Sequence, residues 1–234
     1  MPLARVSALI LGAGQGKRMG GRVSKQFLEV EDRPLLAYTL DKFQGHALIN
    51  EVIVVTREEE IEYCWQKIIY RYNFTKVKKI VPGGKERQDS VYQGLLSLSE
   101  DAEWVVIHDG VRPLVSLSVI TNVLTKAQEK GAAIVGVPAK DTIKFVQPNL
   151  MVEETPKRET LWQVQTPQVF KKELIVKAYR QAVKLGWQGT DDASLVEKLG
   201  VPVFVVRGDY NNLKITTPED LVYFKEILRL NRRS

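Results

Sequence analysis

Two cations, Arg18 and Lys25, follow a run of alternating glycines, Gly12-Ala13-Gly14-Gln15-Gly16, in a pattern suited to holding an anion. Glycines lack the Cβ that would shield neighbouring backbone N–H groups, so an anion can approach the main chain closely while the cations add charge to the same loop. Spacing excludes two familiar glycine loops. A dinucleotide fingerprint anchored on Gly12 and Gly14 needs a third glycine where Lys17 stands. A P-loop ending at Gly16-Lys17 needs glycine at Leu11 and serine or threonine at Arg18.

A second glycine turn, Gly83-Gly84-Lys85-Glu86-Arg87-Gln88-Asp89-Ser90, opens a helical pattern with Ser90 near its start. In an open α/β sheet such turns gather at the carboxyl ends of the strands, so this loop is expected to face the first, its carbonyls reading a base edge and Ser90 a ribose or base. The segment His108-Asp109-Gly110-Val111-Arg112-Pro113 places a carboxylate at a strand end beside an arginine. One isolated carboxylate suits Mg²⁺, which takes one or two from the protein and other ligands from phosphates. His108 reads as a packing or hydrogen-bonding residue, His46 has no motif around it, and the lack of paired His or Cys at metal spacing argues against zinc. The lone Cys64, among Tyr63, Trp65, Ile68 and Ile69, reads as a packed thiol.

The elements that must carry these loops alternate. Val6–Leu11, Val52–Val55, Val77–Val81, Trp104–Ile107, Ala132–Val137 and Val203–Val206 are short apolar runs typical of strands covered on both faces. Between and after them, helical spacing covers Pro34–Phe43, Glu58–Tyr72, Gln88–Leu98, Leu117–Lys130, Lys172–Leu185, Asp192–Leu199 and Pro218–Leu230. This alternation predicts a parallel sheet with helices on both sides, in one domain spanning residues 1–234. It breaks at about residues 139–170, where Thr142–Val146 and Leu161–Gln165 are strand-like around a charged connector. This stretch is expected to form a projecting β-arm whose Phe145 and Trp162 need a partner subunit to cover them.

Composition removes other classes. The chain has 234 residues, 44% hydrophobic and 26% charged, as is ordinary for a globular protein. No apolar run approaches the roughly 18 residues of a membrane span, and the N-terminus has no secretory pattern, so a cytoplasmic location without membrane contact is expected. The net charge of +6 comes from basic residues that are scattered rather than clustered with aromatics. Phosphorylated small molecules account for it without nucleic acid.

Four later segments sharpen the reading: Lys140-Asp141-Thr142-Ile143-Lys144; Arg158 through Leu161-Trp162 to Gln165-Thr166-Pro167-Gln168; Thr190-Asp191-Asp192-Ala193-Ser194; and Asn212-Leu213-Lys214-Ile215-Thr216-Thr217-Pro218-Glu219-Asp220. With the first three, and in the same order, they resemble the 2-C-methyl-D-erythritol 4-phosphate cytidylyltransferases over nearly the whole chain. The resemblance implies a Rossmann-like nucleotidyltransferase fold with a β-arm that embraces a second subunit. The reaction it implies is transfer of a cytidylyl group from CTP to 2-C-methyl-D-erythritol 4-phosphate, releasing pyrophosphate, in non-mevalonate isoprenoid synthesis. It also implies that Leu11, Gly12, Ala13, Gly14, Gly16, Gly84, Ser90 and Asp109 hold CTP and that Arg18, Lys25 and Lys214 act on its phosphates. Asp109 resembles the Mg²⁺ ligand, while Arg112, Thr142, Arg158, Thr166, Thr190 and Lys214 resemble the residues that position the polyol phosphate, some of them from the partner's arm.

Three positions depart from that pattern: Ser24 replaces a usual proline before Lys25, Gly12 a usual alanine, and Gly110-Val111 a frequent Ala-Ala. The related ribitol-phosphate cytidylyltransferases also carry valine at the position of Val111, which keeps ribitol 5-phosphate as an alternative substrate. A nucleotide-binding protein of the same fold without turnover is a second alternative. Leu161-Trp162 and Ala193-Ser194 resemble the methylerythritol enzymes more closely.

Overall fold

The computed structural model describes residues 4–14 and 24–231. In chain order its strands are β1 (Val6–Leu11), β2 (Glu29–Val30), β3 (Arg33–Pro34), β4 (Glu51–Thr56), β5 (Val77–Pro82), β6 (Trp104–Asp109), β7 (Ala132–Pro138), β8 (Phe145–Val146), β9 (Val152–Glu154), β10 (Trp162–Lys171) and β11 (Phe204–Arg207). The helices are α1 (Leu35–Gln44), α2 (Ile61–Cys64), α3 (Arg87–Leu96), α4 (Leu117–Lys130), α5 (Lys172–Leu185), α6 (Asp192–Glu197) and α7 (Pro218–Asn231). A 3₁₀ turn, Glu58–Glu60, leads into α2, and a π-helical turn, Trp65–Tyr70, follows it.

Seven strands form one sheet in the order β11-β7-β10-β6-β1-β4-β5. The pairs β1–β4, β1–β6, β4–β5 and β7–β11 are parallel. Alternate side chains of the central strands enter two apolar layers, as the two-residue period of a strand requires. Ile10, Val54 and Val106 pack with Leu36 and Phe43 of α1, Cys64 of α2 and Ile120 and Leu124 of α4. Leu9, Ile53, Val105 and Ile107 face the other side, against Val91 and Leu95 of α3, Ile175 and Tyr179 of α5 and Leu195 of α6. Burial pushes the Cys64 thiol up to about 12, so the packed thiol read from the sequence stands.

The arm expected at residues 139–170 is organised differently. Leu161–Gln165 does not face Thr142–Val146. Instead β10 runs for ten residues through the main sheet, antiparallel to both β6 and β7. The strand-like run read from the sequence stops at Gln165, two residues before Pro167, and proline lacks the N–H of a regular ladder. The sheet accommodates it at an irregularity between Gln165 and Gln168, where the register with β7 shifts. What remains of the expected arm is a two-stranded ribbon in which Phe145 and Val146 pair with Glu154 and Val152. Phe145 is 52% exposed and Trp162 39%, so nothing in the described chain covers either of them fully.

Candidate active site

Register brings the chemistry-bearing loops together. Leu11 pairs with Val55 on one side and Asp109 on the other, and Thr56 pairs with Pro82, so β1, β4, β5 and β6 end level. The chain leaves those ends at Gly12, Arg57, Gly83 and Gly110. Gly12 N–H donates to Val55 O (2.7 Å), Gly83 N–H to Thr56 O (2.7 Å) and Gly110 N–H to Leu11 O (2.8 Å). The two glycine loops touch, as expected. A Cβ on Gly83 would lie 2.5 Å from Ala13 Cβ, and one on Gly84 2.3 Å from Asp89 Cβ, so both positions require glycine. A Cβ on Gly12 would make only ordinary contact, at 3.4 Å from Val55 O, so its departure from alanine leaves the loop unchanged.

Asp109 is buried, and three cations surround its carboxylate: Lys214 Nζ at 2.9 Å, Arg112 Nε at 3.3 Å and Arg87 Nε at 3.8 Å. Burial by itself would raise the pKa, but Lys214, Arg87 and Arg112 outweigh it and hold the carboxyl well below the usual carboxylate range. Lys214 reaches it because its loop is tied down on both sides. Buried Asn212 donates through Nδ2 to Thr166 O (2.8 Å) and Gln165 Oε1 (3.2 Å) on β10, and Ile215 N–H donates to Val111 O (2.9 Å).

Two clefts open from this cluster. The larger, about 560 Å³, is lined by Leu11, Gly12, Ala13, Gly14, Gly84, Ser90 and Asp109, with the cations Lys25, Arg57, Lys85, Arg87 and Lys214. The second, about 490 Å³, is lined by Arg112, Thr166 and Thr190, with Gln165, Gln168, Asp191 and Ser194 among its other walls. Arg87, Asp109 and Lys214 border both. Arg18 and Gly16 lie outside the described residues. Thr142 and Arg158 are exposed and line neither cleft, and Arg158 Nη1 donates to Lys140 O (3.1 Å).

Two hydroxyls expected to contact ligands are already engaged. Ser90 Oγ accepts from Gly84 N–H (3.1 Å) and donates to Glu86 O (3.0 Å), bracing the second glycine turn. Thr166 Oγ1 accepts from Asp109 N–H (3.1 Å) and lies 3.0 Å from His108 Nδ1. Donation from Thr166 to Nδ1 leaves Nε2–H of a neutral His108 to donate to Arg112 O (3.2 Å), so this histidine is a bracing residue, as its sequence context suggested. Val111 packs with Ile215 and Phe224 and lines the larger cleft but not the second.

The sequence reading missed Arg87. Its guanidinium grips Asp192 through two bonds, Nη1 to Oδ1 (3.0 Å) and Nη2 to Oδ2 (2.8 Å), and Tyr179 OH donates to Asp192 Oδ1 (2.5 Å). Both residues lay inside quoted segments. The signal within reach was an arginine at the first helical position after a glycine turn, with an acidic pair far along the chain.

Two clefts that share a charged wall, at the carboxyl end of a mostly parallel sheet, suit a transferase of α/β architecture that brings two ligands together. Residues 6–230 match the family model IspD, 2-C-methyl-D-erythritol 4-phosphate cytidylyltransferase. Relatives of that name include proteins from Alkaliphilus oremlandii, 46% identical over 98% of this chain and 98% of its own, and Alkaliphilus metalliredigens, 48% identical over 96% and 93%. The crystal structure of 4-diphosphocytidyl-2C-methyl-D-erythritol synthase from Anaerococcus prevotii superposes with a TM-score of 0.85 at 33% identity, covering 97% of this chain and 99% of that one. The chain belongs to the 2-C-methyl-D-erythritol 4-phosphate cytidylyltransferase family and is a CTP-dependent nucleotidyltransferase of isoprenoid precursor synthesis. The family match does not favour the ribitol or non-catalytic alternatives.

Proposed function

We propose that the larger cleft holds CTP, that the second holds 2-C-methyl-D-erythritol 4-phosphate, and that transfer takes place across the wall they share. A phosphate oxygen of the polyol forms a bond to the α-phosphorus of CTP while the bond to the β-phosphate oxygen breaks, and pyrophosphate leaves. The observation that carries this reading is that Arg87, Asp109 and Lys214 border both clefts.

The nucleophile is already an anion, so no general base is needed. His108 is unsuited to be one, since burial pushes its pKa down to about 3 and both ring nitrogens are engaged. The reaction needs relief of the repulsion between two polyanions as the α-phosphorus becomes crowded, and fixed cations supply it. In this reading Lys25 and Arg18 act on the triphosphate, Lys214 on the phosphate groups that meet at the shared wall, and Arg112 on the polyol phosphate. The backbone of Leu11 to Gly14 and of Gly84 cradles the nucleotide, with Ser90 bracing the turn, while Thr166 and Thr190 shape the polyol cleft.

Among the described residues no three His, Cys, Asp or Glu side chains gather as a metal cage. Asp109 fits Mg²⁺ in another way, as one ionised carboxylate at the edge of a triphosphate cleft, where the phosphates provide other ligands. Bound there, Mg²⁺ would neutralise phosphate charge.

Thr142 and Arg158 fit the polyol cleft only if another subunit delivers them. A homodimer in which the 139–161 segment packs on its partner is the arrangement in keeping with Phe145 at 52% and Trp162 at 39% exposure. We read residues 1–234 as one domain. Among the described residues no helix is long and apolar enough to cross a membrane, and a cytoplasmic location suits an enzyme of two soluble phosphates.

Pyrophosphate release tests the reading. It should require both CTP and 2-C-methyl-D-erythritol 4-phosphate, and ribitol 5-phosphate should support it at least tenfold less well. Equal rates with the two polyols, or none with either, would overturn it.

A further inference from the structure

Lys25 lines the larger cleft from a 3₁₀ turn, Lys25–Phe27, and the residues on either side of it are buried and held by one carboxylate from another element. Ser24 Oγ donates to Glu60 Oε1, and Gln26 Nε2 donates to Glu60 Oε2 at 3.0 Å. Three more donors complete the arrangement: Thr56 Oγ1 at 2.9 Å, Arg57 Nε at 3.0 Å and Arg57 Nη2. Arg57 Nη2 also donates to Ser24 Oγ at 2.7 Å, and the Phe27 ring meets Tyr63 edge to face at 5.0 Å.

Glu60 itself lines neither cleft, whereas Lys25, Gln26 and Arg57 all line the larger one. A buried carboxylate that accepts from five donor atoms is fully satisfied, and its donors cannot move independently. We propose that Glu60 is a positioning residue for nucleotidyl transfer, fixing the backbone around Lys25 and the guanidinium of Arg57 at the nucleotide cleft. The proposal rests on reading that cleft as the CTP site.

The backbone supports it from another direction. Ser24 has φ −61°, the value that a proline ring would impose, with ψ 136° in the extended region open to proline. With serine there, nothing covalent restricts φ. The hydrogen bonds to Glu60 and from Arg57 take over that restraint on the approach to Lys25.

The test compares full-length Glu60→Gln, Ser24→Ala, Lys25→Ala and the double variant Ser24→Pro/Glu60→Gln in steady-state assays, with thermal melts alongside. Glu60→Gln should lower kcat about 30-fold at saturating CTP with the polyol KM within about twofold, since the lost group acts on transition-state geometry. Ser24→Ala, which leaves Glu60 four donors, should lower kcat about fivefold with the melting temperature little changed. Adding Ser24→Pro to Glu60→Gln should restore kcat at least tenfold without restoring the melting temperature, because proline replaces the backbone restraint and not the buried network. If the Glu60 variant loses melting temperature but keeps kcat, or if proline recovers no activity, Glu60 is only structural and the proposal is overturned. Should Lys25→Ala itself keep full turnover, the assignment of the cleft would fail instead.

Discussion

Arg87 and Asp192 grip each other through two parallel bonds of 3.0 and 2.8 Å, which set the guanidinium with Nε 3.8 Å from Asp109. Asp192 lines neither cleft, yet it decides where a cation on the wall between them points.

Removing the carboxylate should therefore have two separable effects. Asp192→Ala leaves the buried Tyr179 hydroxyl without its acceptor and Arg87, which is half-buried, with only the 3.8 Å contact to Asp109, and the expected stability loss by urea unfolding is about 3 kcal/mol. Asp192→Asn keeps the shape but not the bidentate ion pair, and kcat/KM should fall about 10- to 100-fold. Unchanged kcat/KM in a folded Asn variant would remove Arg87 from the reaction.

Asp109→Asn deprives Lys214, Arg112 and Arg87 of their shared counter-charge and removes the carboxylate that fits Mg²⁺. Metal-dependent turnover should fall by about two orders of magnitude or more. In the unaltered protein, calorimetry should show Mg²⁺ binding only in the presence of CTP, since a single carboxylate makes no dedicated cage. Tight binding without nucleotide would contradict this assignment.

His46 gives a pH dependence of known sign. It is buried, with Nδ1 accepting from Leu48 N–H (3.3 Å) and Nε2 lying 3.0 Å from Thr121 Oγ1 and 3.3 Å from Leu117 O. Burial is the main cause that holds its pKa below the ordinary 6.5. The unfolded chain thus takes up the proton first on acidification, so this contribution is complete above pH 6.5 and is lost as pH falls below it. Between about pH 7.5 and about pH 5.5 the native protein should lose more urea stability than His46→Gln does. Equal losses would show that folding leaves the pKa of His46 unchanged.

If Arg158 works in the neighbouring subunit's site, two impaired proteins should complement each other when assayed at low polyol phosphate. Lys25→Ala should lower turnover by about two orders of magnitude, as expected when a preorganised cation is removed, and Arg158→Ala should chiefly raise the KM for the polyol phosphate. After subunit exchange, a mixed dimer has one intact site and part of the activity should return. Mixed dimers confirmed by ultracentrifugation but without activity would place Arg158 in its own subunit.

The amino-acid sequence by itself determined the parts that depend on neighbours along the chain. Unbroken β-branched runs made Val52–Val55 and Trp104–Ile107 buried strands, and glycine spacing marked both loops. Aspartate at the end of β6 stood out as a chemistry-bearing residue for the same local reason, whereas Lys214 was indicated only by the family resemblance. Only tertiary structure decided that β10 passes between β6 and β7 through Pro167, because strand order depends on which edges meet and a proline read locally ends a strand. It also decided that Arg87 reaches Asp192, 105 residues away, and that Glu60 spans 36 residues to hold Ser24. A side chain's partner across such a distance follows from the register and packing of whole elements, which leave no periodic trace in the residues that finally touch.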